Sequence, residues 1–214
     1  ALWLDGRVLT RRVLAEQRHS SLLLPMVDDL LRESGVTLRQ LDGIAYGAGP
    51  GSFTGLRIAC AVTQGLAFGA DLPVAGVSTL ESIAEQTGAE RVLTVLDARM
   101  AEVYWAAYEK EGGAWRTVSA PQLALPESVQ VPVGEGWVGA GNGFAALGEV
   151  LRPRLASQLA RIDASLMPDA AAMAPLAAAV FARGEGMDAA LAAPIYLRDK
   201  VALTVDERRA RKTA

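Results

Sequence analysis

The chain is short of the residues most enzymes lean on. Among 214 residues there is one cysteine, Cys60, and one histidine, His19. A lone cysteine excludes an internal disulfide and fits a reducing compartment, the cytoplasm. A lone histidine excludes, within one chain, any zinc or iron site built on paired imidazoles. It also leaves His19 as the sole imidazole base for a Ser–His or Cys–His nucleophile. His19 stands between Arg18 and Ser20, just before a helix start, where a surface or capping role is the plainer reading. The formal net charge is −3, so no global basic field draws nucleic acid, and a role on RNA has to be local or borrowed from a partner. No apolar run reaches the roughly 18 residues of a membrane span. The alanine-rich stretch Ala170 to Ala182 is interrupted by Pro175, and no signal-peptide pattern is present. The sequence opens on "ALWLDGRVL", without a methionine, in what reads as the middle of a strand, so an N-terminal piece is expected to be missing.

What is present is a globular composition, 51% apolar and 21% charged, long enough for one large or two small domains with real cores. Asp5-Gly6, flanked by Leu2, Leu4, Val8 and Leu9, predicts a hairpin. Ser20-Ser21 offers an N-cap for a helix ending at Gly35. That helix carries two apolar stripes, one of Leu23, Met26, Val27 and Leu30 and another of Leu24 and Leu31, where a helix on a solvated surface needs one. "LDGIAYGAGPG" predicts a strand running into a glycine loop, followed by the helix "FTGLRIACAVTQGLAFGA", whose small residues lie on nearly all faces. "LPVAGVS" is a strand, and Ser78 with Glu81 three residues on is a capping box for "TLESIAEQTG". The pattern then restarts. "RVLTVLDARM", "EVYWAAYEKEGG" and "AWRTVSAPQL" read as strands, "EGWVGAGNGF" as a strand entering a second glycine loop, and "AALGEVLRPRLASQLA" and "PDAAAMAPLAAAVFARG" as helices. Two regions, 1–88 and 89–214, thus share one order, which predicts a duplicated α/β architecture.

The chemistry is thin. The loop Gly47 to Arg57 lacks the Gly-Lys-Ser/Thr of a Walker loop and the acidic partner of GxGxxG. Gly49, Gly51 and Gly55 permit positive φ or close backbone approach, and Ser52 or Thr54 can cap the next helix. The loop is either a tight strand-to-helix turn or an anion site at a helix N-terminus. Asp97, Arg99 and Glu102 fall at a strand-to-strand turn. They form either a structural Asp–Arg pair or an acidic group at a cleft between the regions, where Asp97, Gly141 and Gly143 would line a nucleotide with Asp97 ordering a magnesium-bound water. The tail with Arg208, Arg209, Arg211 and Lys212 reads as a solvated basic segment, with RNA-phosphate contact as the alternative.

The motif "GPGSFTGLRIA" resembles the signature of the bacterial TsaB (YeaZ) family. The likeness runs on through "RHSSLLLPMVDDLL", "VAGVSTLESIA", "VLDARMAEVYWAAY", "GAGNGF" and "PIYLRDKVA", over nearly the whole chain. The resemblance implies an actin-like ATPase (ASKHA) fold of two RNase-H-like lobes and a place in the machinery that makes threonylcarbamoyladenosine in tRNA. It implies a non-catalytic subunit that holds a catalytic TsaD-like paralogue, works with a TsaE-like ATPase, meets tRNA only through the complex and forms a homodimer when alone. It implies no cofactor in this chain, with ATP or ADP confined to a complex interface, and no peptidase activity. The paralogue carries a metal-holding histidine pair, and the matching region here, "VSTLESIAEQ", has none. Family members open with a strand resembling "AIDTST" before the position of Ala1, so the first lobe is expected to lack that strand. The expected partner interface comprises Leu23, Leu24, Val27 and Leu31 of the first helix with Leu56, Ala59, Cys60, Ala61, Thr63 and Leu66 of the second, the loop Gly49, Gly51, Ser52, Thr54 and Gly55 serving to launch that second helix.

Overall fold

The structure, a computed structural model, describes residues 1–14 and 19–198, with the backbone alone for His19 and Ser20. Asp5 and Gly6 adopt φ of 46° and 82°, the double left-handed turn that matches strand twist. They join β1 (Leu2–Leu4) to β2 (Arg7–Leu9) as an antiparallel ribbon. Helix α1 spans His19–Ser34. Ser20 and Ser21 are therefore helical residues and not its cap, because the helix already includes His19; what precedes it lies outside the described residues. Strand β3 (Ile44–Gly49) runs parallel to β4 (Val74–Ser78), and helix α2 (Phe53–Ala70) forms the crossover between them. Its C-cap Asp71 takes a left-handed φ of 58°. Helix α3 (Thr79–Gln86) follows at once, with the Ser78 hydroxyl accepting the Glu81 amide at 3.4 Å. This is one of the two bonds of the capping box the sequence suggests.

Strands β5 (Arg91–Asp97), β6 (Val103–Glu111), β7 (Ala114–Ala124), β8 (Val138–Ala140) and β9 (Arg161–Asp163) form one sheet in the order β7-β6-β5-β8-β9. The short helices α4 (Gly143–Ala146) and α5 (Gly148–Leu155) lie between β8 and β9, and α6 (Ala170–Ala182) follows. Strand β5 is buried on both faces, which is why "RVLTVL" reads as a nearly continuous apolar run and does not alternate. Leu93, Val95, Val103 and Trp105 point to the side covered by Phe144, Leu151 and Leu155. Val92, Leu96, Ala106 and Tyr108 point to the side covered by Leu80, Ile83 and Ala84 of α3.

The two regions repeat a pairing pattern. Antiparallel strands (the pair β1–β2, then the three strands β5–β6–β7) precede a parallel pair (β3–β4, then β8–β9). In the later sheet β5 joins the two sets, whereas among the described residues β1–β2 and β3–β4 remain separate ribbons. Packing does not follow the expected division at residue 88. Helix α3 of the first region closes one face of the β5-containing sheet, while α6 of the second packs on β1, β3, β4 and α3. The 3-10 turn Ala189–Leu191 sits on α2. The reason is geometric: α6 is an alanine-rich rod with Ala172 and Ala177 buried, thin enough to lie against both ribbons.

Candidate functional site: a helical face and a cleft

Two places on the molecule gather the residues the sequence singles out. The first is the outward side of α1 and α2. Ser52 caps α2, its hydroxyl accepting the Gly55 amide at 3.4 Å. Gly49 has φ of 123°, and a Cβ there would stand 2.7 Å from the Ile195 carbonyl oxygen, so the glycine is required by the segment passing beneath it. The loop is a strand-to-helix turn built on close packing. Its side chains Ser52 and Thr54 are exposed.

The ten residues expected to form one interface are divided by the fold. Leu56, Cys60 and Thr63 face inward and are buried, Cys60 within the cluster of Tyr46, Ala48, Ala67 and Val74. Ala59 and Leu66 are half-buried. Burial pushes the Cys60 thiol pKa up, and the S–H donates to the Ala192 carbonyl at 3.4 Å, so this sulfur is a packed hydrophobe and not a nucleophile. On α1, Leu23, Val27 and Leu31 are half-buried and Leu24 is exposed. The outer ridge of α2 is made by Ala61, Gly65 and Phe68, all exposed, at the i, i+4, i+7 spacing of one helix face. Phe68 is 84% exposed. The sequence signal for it was an aromatic flanked by small residues inside an otherwise small-residue helix.

The second place is a cleft of about 690 Å³ between the α2 start and the β5–β6 turn. Pro50 to Phe53, Thr79, Asp97 to Met100, Asn142 and Ile195 to Arg198 line it. The Asp97 carboxylate accepts the Arg99 amide at 2.8 Å and pairs with the Arg99 guanidinium at 3.2 Å, which is the structural Asp–Arg turn pair, placed on the cleft wall. Gly141 and Gly143, expected beside Asp97 as nucleotide-lining positions, do not line the cleft. A Cβ on Gly141 would stand 2.3 Å from the Val95 carbonyl oxygen, and one on Gly143 2.6 Å from Val95 Cγ1. These glycines let the turn after β8 pack on the β5 backbone. Asn142 between them does reach the cleft, its side-chain oxygen accepting the Asp97 amide at 3.0 Å. Sequence reading passed over it because a single Asn in a glycine loop reads as turn chemistry.

A third feature was not anticipated. Residues 192–198 run from β3 and α2 to the cleft rim. The Tyr196 ring lies 5.5 Å from Phe53, the Arg57 guanidinium sits 3.8 Å over the Phe53 ring, and Arg57 Nε donates to the Tyr196 hydroxyl at 2.8 Å. Arg198 then enters the second region, against Ala98 and Glu102. The basic tail with Arg208, Arg209, Arg211 and Lys212 lies outside the described residues, and of His19 only the helical backbone is described. Among the described residues no His, Cys, Asp and Glu side chains cluster as a metal site, and no helix is long and apolar enough to cross a membrane.

Comparison with known proteins bears on the whole chain. The family described as "TsaD: tRNA N6-adenosine threonylcarbamoyltransferase" matches residues 13–204. The tRNA threonylcarbamoyladenosine biosynthesis protein TsaB of Escherichia coli (strain K12) is 42% identical, over 94% of this chain and 90% of its own. The Haemophilus influenzae protein of the same name is 36% identical, over 88% and 83%. YeaZ from Pseudomonas aeruginosa superposes with a TM-score of 0.82 at 43% identity, covering 90% of this chain and 92% of its own. A structure described as an uncharacterized protein with similarity to peptidase YEAZ, also from Pseudomonas aeruginosa, gives 0.84 at 43% identity, covering 92% of each chain.

Proposed function

Since the chain belongs to the TsaB (YeaZ) family, we propose that it is the non-catalytic subunit of the assembly that makes threonylcarbamoyladenosine in tRNA. Its two regions are RNase-H-like lobes of an actin-like fold, and its work is to hold a catalytic TsaD-like paralogue through α1 and α2. The observation that carries this reading is the exposed ridge of Ala61, Gly65 and Phe68 on α2, with a further exposed leucine, Leu24, on α1, which packs against α2. Small residues let a second helix approach to backbone distance, and a solvent-facing aromatic supplies an anchor for it. The same surface, self-complementary about a two-fold axis, makes a homodimer when the chain is alone. A TsaE-like ATPase and tRNA join through the assembled complex, and nucleotide acts there and not on this chain by itself.

The peptidase likeness in one relative's description does not extend to the chemistry here. The single histidine cannot make a paired-imidazole centre, and Cys60 is buried with its thiol pKa pushed up by that burial, which speaks against a Cys–His nucleophile. An autonomous ATP-dependent role loses its support with Gly141 and Gly143, which serve the β5 backbone.

Leu24→Glu and Ala61→Arg each place a charge in the proposed contact and should cost several kcal/mol of association, about the penalty of an unpaired charge at an interface. Sedimentation of the chain alone, capture of the TsaD-like paralogue and tRNA modification by the reconstituted complex should all fall together. Undiminished capture of the paralogue by both variants overturns the interface. Modification by this chain with no paralogue present overturns the non-catalytic role.

A further inference from the structure

We infer that Arg198 is the clasp of a conformational device: it holds the cleft rim in a left-handed turn and, through the segment 192–198, ties that turn to β3 and α2. The turn is Arg99, Met100 and Ala101, with φ of 63°, 58° and 60°. Three consecutive non-glycine residues in this region are disfavoured by contact between each Cβ and the following carbonyl. Such a run persists only where its surroundings over-determine it. Two backbone bonds close the turn, Ala98 N–H to the Glu102 carbonyl at 3.0 Å and Glu102 N–H to the Arg99 carbonyl at 3.1 Å. The Asp97 carboxylate holds its start, accepting the Arg99 amide at 2.8 Å, and the constraint from outside the β5–β6 connection comes from Arg198, 14% exposed at its side chain. One arm of its guanidinium donates to the Ala98 carbonyl at 3.0 Å, and the other meets the Glu102 carboxylate and lies 3.5 Å from the Met100 sulfur. A planar fork that bonds the residue before the turn and the residue after it fixes the turn's two ends at once, which a lysine ammonium at the same place does not do.

The other end of the strap is anchored residue by residue. The Ala192 carbonyl accepts from Gln64 at 3.1 Å, the Ala193 amide donates to the Tyr46 hydroxyl at 2.9 Å, and the Ile195 amide donates to the Ala48 carbonyl at 2.7 Å. Tyr196 is held by Arg57 and Phe53. The strap therefore has a firm first half and a single charged clasp at its far end. Leu197 and Met100, both cleft-lining, are placed by that clasp. When Arg198 lets go, the left-handed turn loses its outside support, and the rim and the end of the strap relax as one unit while β5 and β6 stay paired.

Amide hydrogen exchange on the full chain, read by peptide, tests this. Arg198→Ala should speed exchange in peptides covering 97–103 and 196–198 by about ten- to a hundredfold, the factor that a hydrogen bond to a charged group is worth. Peptides of 91–96 and 104–109 should keep their wild-type rates. Arg198→Lys should behave like Arg198→Ala, because it keeps the charge and loses the fork. Unchanged exchange at 97–103 in Arg198→Ala overturns the clasp. Equal acceleration across 91–109 overturns it too, since Arg198 then supports the common core. Wild-type rates in Arg198→Lys show that charge alone suffices and refute the two-ended hold.

Discussion

Phe68 separates fold from association more cleanly than any other residue on α2. It is 84% exposed, so the isolated chain gains little from it, and truncation to alanine should change folding stability by no more than about 0.5 kcal/mol. For a chain of this length that is a shift in Tm of about 1–2 °C. A phenylalanine side chain buries about 150–250 Å² when covered. With most of that area still free, full burial against a partner is worth about 3–5 kcal/mol at about 25 cal/mol per Å². Ordering and imperfect fit reduce the net to about 2–3 kcal/mol per copy. Phe68→Ala should then weaken a one-to-one complex about 30- to 150-fold, and a two-fold homodimer by up to the square of that, since both copies lose the anchor. Sedimentation equilibrium of the chain alone and titration of the TsaD-like paralogue measure the two associations, with thermal unfolding as the control. Unchanged affinity in both, at unchanged Tm, removes this ridge from the interface. A drop in Tm of many degrees shows instead that Phe68 serves the fold.

Gly141→Ala drives a Cβ to 2.3 Å from the Val95 carbonyl oxygen at a φ of 110°, so overpacking and backbone strain together should cost about 3–5 kcal/mol; a denaturant midpoint equal to wild type refutes the packing role given to the second glycine loop. Ser52→Ala removes the α2 cap, and because the bond is long, at 3.4 Å, the loss should sit near the low end for caps, about 0.5–1 kcal/mol, read from urea unfolding; a loss of several kcal/mol would mean the loop does more than start the helix. Burial, with Glu85 nearby adding to it, raises the Glu81 pKa in the folded chain. The folded state thus binds this proton more tightly than the unfolded one, so the penalty is absent below the unfolded-state pKa, near 4.3, and grows as pH rises through the higher folded value. Glu81→Gln should therefore stabilise the chain at neutral pH and leave it nearly unchanged well below that pKa; an equal effect at both would show that Glu81 titrates alike in the two states.

The parts of this molecule written in short-range patterns were legible as sequence. Asp5-Gly6 announces a hairpin because only a few residues accept its φ values, and Ser52 and Ser78 mark helix starts because their hydroxyls satisfy first-turn amides. The strands of the five-stranded sheet read correctly wherever the run was long, as from Arg91 to Ala124. Strand β9 did not, since Arg161–Asp163 has one apolar residue and is a strand only because β8 offers an edge. Packing across residue 88 was not legible for a related reason. Helices α3 and α6 carry apolar surface whose destination is set by the chain's path, and each packs across the expected boundary. The glycines of 139–143 show the same limit at the candidate site. A glycine signals that something comes close, but not whether it is a phosphate or a carbonyl, and here it is the Val95 backbone. Residues whose role depends on distant partners, such as Asn142 beside Asp97 and Arg198 beside Glu102, leave no local trace at all. The interface face falls between these cases: two apolar stripes on one helix and small residues on the next said that something covers them, while burial was needed to show that Leu56, Cys60 and Thr63 are covered by the chain itself and that Ala61, Gly65 and Phe68 are not.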